Sequence, residues 1–150
     1  MLPVSHARLC RALRRLGVGE ADLGDVAQEL FLTVHTRFGD YDPSRPLRTW
    51  LYAFCLRYAS NYRKLARHRA EGLAEPEAAH GQSDAVVARD LVLRALEKLD
   101  FDRRTALVLH DMEQLSAPEI AGELGVPLNT VYSRIRAARD AFKAILAEDA

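Results

Sequence analysis

The feature that most constrains the fold is the spacing of apolar residues, which follows the α-helix along almost the whole chain. The clearest example lies near the C-terminus, where the intervals alternate between four and three at Val131, Ile135, Ala138, Phe142 and Ile145. A helix with about 3.6 residues per turn places such residues on one face. No segment shows the strict alternation, rich in Val, Ile and Thr, of a half-buried strand. The sequence therefore predicts an all-α protein.

One break in the helical pattern divides the chain into two parts. The segment EGLAEPEAAHGQSD, residues 71–84, combines Gly, Pro, Ser and acidic residues and has no helical face. This composition is typical of a flexible linker. We therefore expect two small helical domains, residues 1–70 and residues 85–150, joined by this linker.

The first predicted domain contains two amphipathic patterns. One begins at residue 21 and ends before Gly39, and the other follows the turn-rich stretch FGDYDPSRPLR. The second predicted domain begins with one helix near Ala85 and another from Arg103 to about Met112. Two further helices lie close together at the C-terminal end.

This last pair has the sequence pattern of a helix-turn-helix. Ser116 followed by Glu119 is a capping box, which predicts a helix start. Gly125 can adopt a positive φ at the turn, and the small Ala121 lets the two helices approach. The second helix starts near Asn129. A helix-turn-helix predicts DNA binding, with the second helix in the major groove.

The apolar face of the second helix determines which side chains remain outside. Asn129, Tyr132, Ser133 and Arg136 share the opposite face, and their hydrogen-bonding groups are suited to base edges. Arg134 and Arg139 flank this face and are better placed for phosphate contacts. The same pattern also fits a solvated helix face, but cap, turn and outward face together favour DNA.

The formal net charge of zero conceals strongly charged segments. Residues 43–70 contain seven Lys or Arg and no acid, whereas residues 71–102 contain eight acids and three bases. Affinity for nucleic acid depends on local phosphate contacts, so overall neutrality does not exclude it. Aromatic residues interleaved with the cations of residues 45–69 suit single-stranded nucleic acid, although we favour a core position for Trp50 over base stacking.

Other functional classes find little support. No apolar run is long enough for a transmembrane helix, and the N-terminus lacks the pattern of a secretion signal. Cys10 and Cys55 are far apart in sequence, and the five histidines lack metal-ligand spacing. No phosphate-binding loop or nucleophile motif is present. We expect a cytoplasmic protein that is not an enzyme, with no cofactor, no metal and no membrane insertion.

Three segments in order resemble the sigma-70 family of bacterial sigma factors, in particular the extracytoplasmic-function (ECF) group. DVAQELF (25–31) is similar to the family's D-x-x-Q-E-x-F segment. RTWLYAF with the following NYRK (48–64) is similar to its R-x-W-L-Y segment and basic helix, and EIAGELGVPLNTVYSRIRAAR (119–139) to its helix-turn-helix. The resemblance implies a region 2-like bundle, a region 4-like helix-turn-helix, and binding to core RNA polymerase and promoter DNA.

The resemblance also implies roles for individual residues. The polymerase-binding residues would be Asp25, Gln28, Glu29 and Phe31. The −10 element, with an unpaired base, would be bound by the 41–49 loop and the following helix, through Ser44, Arg45, Arg48, Thr49, Trp50, Arg57, Asn61 and Lys64. The −35 element would be read as duplex by Asn129, Thr130, Tyr132, Ser133, Arg134, Arg136 and Arg139.

The chain departs from the family pattern at three positions. The family often has Asn where Arg57 stands, and usually a cation where Tyr132 and Ala137 stand. The departure at Arg57 affects the implied −10 contact. We expect the loss of two cations, at Tyr132 and Ala137, to weaken phosphate or guanine contacts and to change the preferred −35 sequence. The segment before residue 20 is short, which implies a trimmed first helix.

Two further expectations concern partners. Family members commonly pair with an anti-sigma factor that masks both domains, and we expect one here. The alternative to a sigma factor is a helix-turn-helix regulator that binds DNA without being a polymerase subunit. In that case residues 25–31 and 45–69 would be core and solvated surface.

Overall fold

Seven α-helices make up the part of the chain that the structure, a computed structural model, describes, namely residues 5–69 and 83–149. They are α1 (His6–Arg15), α2 (Glu20–Arg37), α3 (Leu47–Arg69), α4 (Asp84–Glu97), α5 (Phe101–Leu107), α6 (Ala117–Leu124) and α7 (Leu128–Asp149). A 3-10 turn, Phe38–Asp40, follows α2, and a π-helical turn, Val108–Met112, extends α5. No strand occurs within these residues, and the all-α prediction is confirmed.

The first helix, α1, is absent from the predicted patterns. Ser5 caps it by accepting a hydrogen bond from the Arg8 backbone N–H, and Leu9 and Leu13 are fully buried on its inner face. Leu9, Leu13 and Leu16 are buried and follow one another at intervals of four and three residues. This spacing is the sequence signal for the helix. The four arginines interspersed among these apolar residues obscure it. The segment before residue 20 thus contains a ten-residue helix whose inner face lies in the core.

Helices α1, α2 and α3 form the first domain. Both α1 and α2 pack against α3, and the apolar side chains between them include Leu30, Val34, Leu51 and Cys55. Helix α3 begins directly after Pro46, whose fixed φ and missing N–H suit a helix start. The basic segment of the chain is therefore presented on one long helix.

Helices α4 to α7 form the second domain, in which α7 packs on α4, α5 and α6. Ser83 caps α4, and Asp84 is its first residue, so the helix begins one residue before the predicted start near Ala85. Residues 71–82 of the predicted linker lie outside the described residues. None of the described helices has the length and hydropathy needed to cross a bilayer.

The two domains also pack against each other. Helix α1 contacts α4, and α3 contacts α6. Buried apolar residues of both domains belong to one continuous cluster that runs from Leu9 to Ala138. In this structure the two predicted helical domains therefore share one core, and their predicted bounds stay a prediction.

Candidate nucleic-acid interface

The start of the second helix of the helix-turn-helix, α7, is fixed by the chain immediately before it. The Ser116 hydroxyl accepts a hydrogen bond from the Glu119 N–H, and the Glu119 carboxylate accepts one from the Ser116 N–H. Gly125 ends α6 with a φ of 66°, a left-handed conformation that glycine adopts without steric cost. The predicted capping box and glycine turn are both confirmed, and together they set the angle at which α7 leaves α6.

The inner face of α7 holds the helix in place and leaves its polar face outside. Val131, Ile135 and Ala138 are at most 3% exposed. The predicted outward residues Asn129, Tyr132, Ser133 and Arg136 are exposed, with Tyr132 at 52%, and Thr130 is half-buried. This face offers an aromatic ring, a guanidinium and two short polar side chains in about two helical turns. Such a face is suited to reading base edges.

The two flanking arginines are engaged by acidic residues of the same domain. Arg139 binds Asp111 through two hydrogen bonds of 2.7 and 2.5 Å, and Arg134 lies 3.7 Å from Asp102. The Arg139 hydrogen bonds hold the pKa of Asp111 below its usual range and raise the pKa of Arg139. The predicted phosphate contacts of Arg134 and Arg139 stay predictions, and in this structure both side chains have protein partners.

The loop before α3 is ordered by its own hydrogen bonds and by an aromatic cluster. Asp42 accepts a hydrogen bond from the Ser44 N–H at 2.9 Å, which is the main reason why the pKa of Asp42 lies below its usual value. The Tyr41 hydroxyl donates to the Arg45 carbonyl at 2.5 Å. The rings of Phe38, Tyr41 and Phe54 surround Trp50, with centroids 4.8 to 6.2 Å away. Trp50 is half-buried and packs against the core, and its predicted contact with the −10 element stays a prediction.

Further along α3, the predicted −10 residues lie on an exposed face. Arg57, Asn61 and Lys64 are all exposed, and the Arg57 guanidinium lies 5.5 Å from the Phe54 ring centroid. They line a cleft of about 480 Å³ between α3 and the second domain. The opposite wall carries acidic side chains, Asp102 and Glu123.

The remaining residues predicted to contact the −10 element differ in whether they bind the second domain. Ser44 is exposed, whereas three others bind groups of the second domain. Arg45 lies 2.6 Å from the Glu123 carboxylate, the Thr49 hydroxyl donates to Glu119 at 3.1 Å, and Arg48 donates to the Glu113 backbone carbonyl. The structure therefore brings the two parts of the candidate interface together through acidic residues.

Glu113 is the central residue of this contact and is absent from the predicted sites. Its side chain is 1% exposed, and its carboxylate accepts from Arg15 at 3.3 Å, Arg8 at 3.4 Å and the Tyr52 hydroxyl at 2.5 Å. Burial, followed by the hydrogen bond to Glu113, raises the pKa of Tyr52 well above its usual value. Nothing in the local sequence HDMEQLS distinguishes Glu113 from a solvated acid, since its partners lie 61 to 105 residues away.

The predicted polymerase-binding residues lie on α2. Asp25, Gln28 and Glu29 are exposed, and the structure places them on the solvent side of the first domain. Phe31 is half-buried and stacks on His6 with ring centroids 4.7 Å apart, so it packs against α1. Among the described residues, no group of three or more His, Cys, Asp or Glu is arranged to hold a metal ion.

Two family models match the chain, one in each predicted domain. The family model described as Sigma-70 region 2 matches residues 5–70, and that described as Sigma-70, region 4 matches residues 89–142. The chain belongs to the sigma-70 family. The region 2 match contains the loop before α3 and the region 4 match contains the helix-turn-helix.

Sigma-70 relatives match over nearly the whole chain. The RNA polymerase sigma factor CnrH of Cupriavidus metallidurans is 33% identical, with 94% of this chain and 82% of the relative covered. The ECF RNA polymerase sigma-E factor of Escherichia coli K12 is 29% identical over the same shares. The resemblance to the ECF group of sigma-70 factors is thereby confirmed.

Two solved sigma-70 structures share the architecture. The structure of CnrH in complex with the cytosolic domain of CnrY has a TM-score of 0.73 and 31% identity, covering 95% of this chain and 82% of that one. The sigma factor RpoE in complex with the anti-sigma factor NepR from Bartonella quintana has a TM-score of 0.75 and 22% identity, covering 97% and 93%. The second likeness concerns the fold alone.

Proposed function

We propose that this ECF sigma factor binds core RNA polymerase and directs it to promoters by reading two DNA elements. Region 4 reads a −35 element in duplex form through the outward face of α7. Region 2 binds a −10 element through α3 and the loop before it, where an unpaired base leaves the stack; the structure ends this loop at Pro46, so residues 47–49 of the predicted loop belong to α3. A pocket is required for that step because a base edge is not fully accessible inside the duplex.

The observation that carries the proposal is the exposed polar face of α7 in a chain that contains both family regions in order. Asn129, Tyr132, Ser133 and Arg136 extend from a helix whose opposite face is locked in the core. The exposed cations of α3 supply the sequence-independent attraction to phosphates. Asp25, Gln28 and Glu29 supply an exposed polar surface for docking on the polymerase.

The proposed role involves no catalysis and no cofactor, and it places the protein with its polymerase in the cytoplasm. We also propose that an anti-sigma factor binds the chain. The similarity to CnrH, whose structure is a complex with the cytosolic domain of CnrY, supports a protein partner of this kind. Repeated purification from the native host that never yields an inhibitory partner would count against it.

The decisive experiment is transcription by core polymerase with and without the protein on a promoter library. We expect initiation at a defined promoter class only when the protein is present. Binding to duplex DNA that needs no polymerase, together with no stimulated initiation, would instead support a helix-turn-helix regulator.

Two substitutions test which domain contacts which promoter element. Arg136→Ala is expected to change the preferred −35 sequence, because an arginine that contacts a base edge contributes about 1–3 kcal/mol of discrimination. Lys64→Ala is expected to weaken open-complex formation evenly across promoters. Lys143→Ala is the matched control, since Lys143 is an exposed cation on α7 two turns beyond Arg136. If Arg136→Ala and Lys64→Ala both alter only the −35 preference, the division between the domains is wrong.

A further inference from the structure

We infer that the free protein is closed on itself, with acidic residues of region 4 occupying the −10-binding residues of region 2 and Glu113 acting as the latch. The inference rests on the proposed function for the identity of the −10-binding residues. The closed arrangement itself is visible without it.

The first support is the identity of the occupied residues. Arg45, Arg48 and Thr49 are all predicted to contact the −10 element, and each binds region 4. Two of the acceptors are carboxylates, Glu123 and Glu119. These anions lie where DNA phosphates and bases would otherwise accept the same hydrogen bonds, and they would repel a phosphate. The closed protein therefore cannot bind a −10 element.

The second support is the position of Glu113. Its carboxylate is buried and accepts hydrogen bonds from Arg8 and Arg15 of α1 and Tyr52 of α3, all in region 2. A buried carboxylate is stable only when its charge is compensated and its oxygens are hydrogen-bonded. Within the described residues, all three side-chain donors come from the other domain. Separation of the domains removes all of them at once, and water must then replace them.

The closed arrangement also has features that allow it to open. The buried Arg48 Nε and Thr105 Oγ1 have no hydrogen-bond partner among the described residues, and each costs free energy in the closed state. Thr105 lines the cleft between α3 and region 4. Arg8 and Arg15 keep 36% and 32% of their side chains exposed, so both can be solvated when Glu113 leaves. The contacts of Glu113 are therefore surrounded by partly exposed arginines and by buried atoms without hydrogen bonds. Such an arrangement can both hold the domains together and let them separate.

The test measures the distance between the domains in the free, full-length protein. Fluorophores are attached to cysteines introduced at the exposed positions Thr36 of α2 and Lys143 of α7. Cys10 is replaced by Ser to prevent labelling, and Cys55 is left because it is fully buried. Energy transfer between the two dyes then reports the open and closed populations.

We expect high transfer for the wild-type chain and an increase of about tenfold or more in the open-to-closed ratio for Glu113→Gln. Hydrogen bonds to charged groups are among the stronger ones, which is the reason for this magnitude. The double variant Arg8→Gln/Arg15→Gln is expected to shift transfer in the same direction. Glu148→Gln, an exposed acid on α7, is the control and should leave transfer unchanged.

The outcomes separate the latch from the proposed function. A wild-type chain that is already open, or a folded Glu113→Gln variant as closed as the wild type, overturns the latch. If Glu113→Gln does not fold by circular dichroism, the double arginine variant decides, because both side chains are partly exposed. Transcription with core polymerase is measured in parallel, and its absence in all variants would sink the proposed function while leaving an observed opening intact.

Discussion

Asp111 and Arg139 show how one ion pair restrains α7, the helix proposed to read the −35 element. The two hydrogen bonds, at 2.7 and 2.5 Å, connect the π-helical turn after α5 with the middle of α7. Both side chains are partly exposed, so solvent screens part of the attraction. The paired geometry nevertheless restrains α7 at the point where it leaves the helix-turn-helix core.

We expect Asp111→Asn to lower the free energy of unfolding by about 1 kcal/mol at pH 7. Because the pKa of Asp111 is depressed in the folded state, its contribution is complete above about pH 4, the ordinary carboxyl range, and is lost as pH falls through the folded pKa. Urea titrations of both proteins at pH 7 and pH 3.5 measure the difference, which should shrink at the lower pH.

Asp140→Asn is the control for this prediction, since Asp140 is an exposed acid on the same helix, next to Arg139. It should change stability by less than about 0.5 kcal/mol. A difference between wild type and Asp111→Asn that grows towards acid would contradict the assignment of the pair.

The two cysteines differ in their accessibility to reagents. Cys55 is fully buried, and burial raises the pKa of its thiol well above the ordinary value. Cys10 is half-buried, and desolvation raises the pKa of its thiol as well. At pH 8 a thiol reagent such as DTNB should modify one cysteine in the native protein, and two only after denaturation, because the thiolate is the reactive form. Rapid native modification of both would show that α1 and α3 do not pack as described.

At the scale of elements, the helix-turn-helix depends on two glycines with opposite conformational requirements. Gly125 has a φ of 66° at the end of α6, whereas Gly122 lies inside α6 with no heavy atom within 4 Å of an added Cβ. An added Cβ at Gly125 is also unobstructed, so only backbone strain opposes a side chain there. Because neither substitution meets a steric obstacle, the pair isolates the effect of backbone conformation.

Gly125→Ala should destabilise the protein by about 1–2 kcal/mol, because the left-handed conformation is unfavourable for alanine. Gly122→Ala should stabilise it by about 0.5–1 kcal/mol, since alanine is the better helix former. Thermal unfolding of the two variants beside the wild type measures both effects. Shifts of the same sign would mean that the turn in solution differs from the one described.

The elements that the sequence predicts well are those defined by local signals. The capping box at Ser116, the turn at Gly125 and the inward residues of α7 are all set within a few residues of each other. The exposed face of α7 follows from the buried one by geometry. Helix α1 has a weaker local signal, because arginines interrupt its short apolar pattern.

At the scale of the whole molecule, the sequence predicts the two domains but not their contact. Glu113 looks like a solvated acid until Arg8 and Tyr52, 105 and 61 residues away, are brought to it by folding. Arg45 and Arg48 likewise have the sequence character of DNA-binding residues, yet in this structure they bind region 4. Contacts of this kind depend on how two finished domains meet, and no local pattern encodes that.

The proposed two-element reading makes a prediction about additivity. Lys64 lies on α3 of region 2 and Arg136 on α7 of region 4, so the two residues would contact separate DNA elements. Substitutions at independent sites add within about 0.3–0.5 kcal/mol. We therefore expect Lys64→Ala and Arg136→Ala to be additive in the free energy with which the polymerase complex binds the promoter. The loss in the double variant should equal the sum of the losses in the two single variants.

The comparison pair is Ser133→Ala with Arg136→Ala, because these exposed residues lie three positions apart on one face of α7. Neighbours that contact the same few base pairs should couple by about 0.5 kcal/mol or more. Promoter affinity is measured by competition at one fixed salt concentration, since phosphate contacts make every value depend on salt. Coupling between Lys64 and Arg136 as large as that between Ser133 and Arg136 would mean that both cations contribute to a single binding surface, and the closed arrangement of the domains would then have to persist on the promoter.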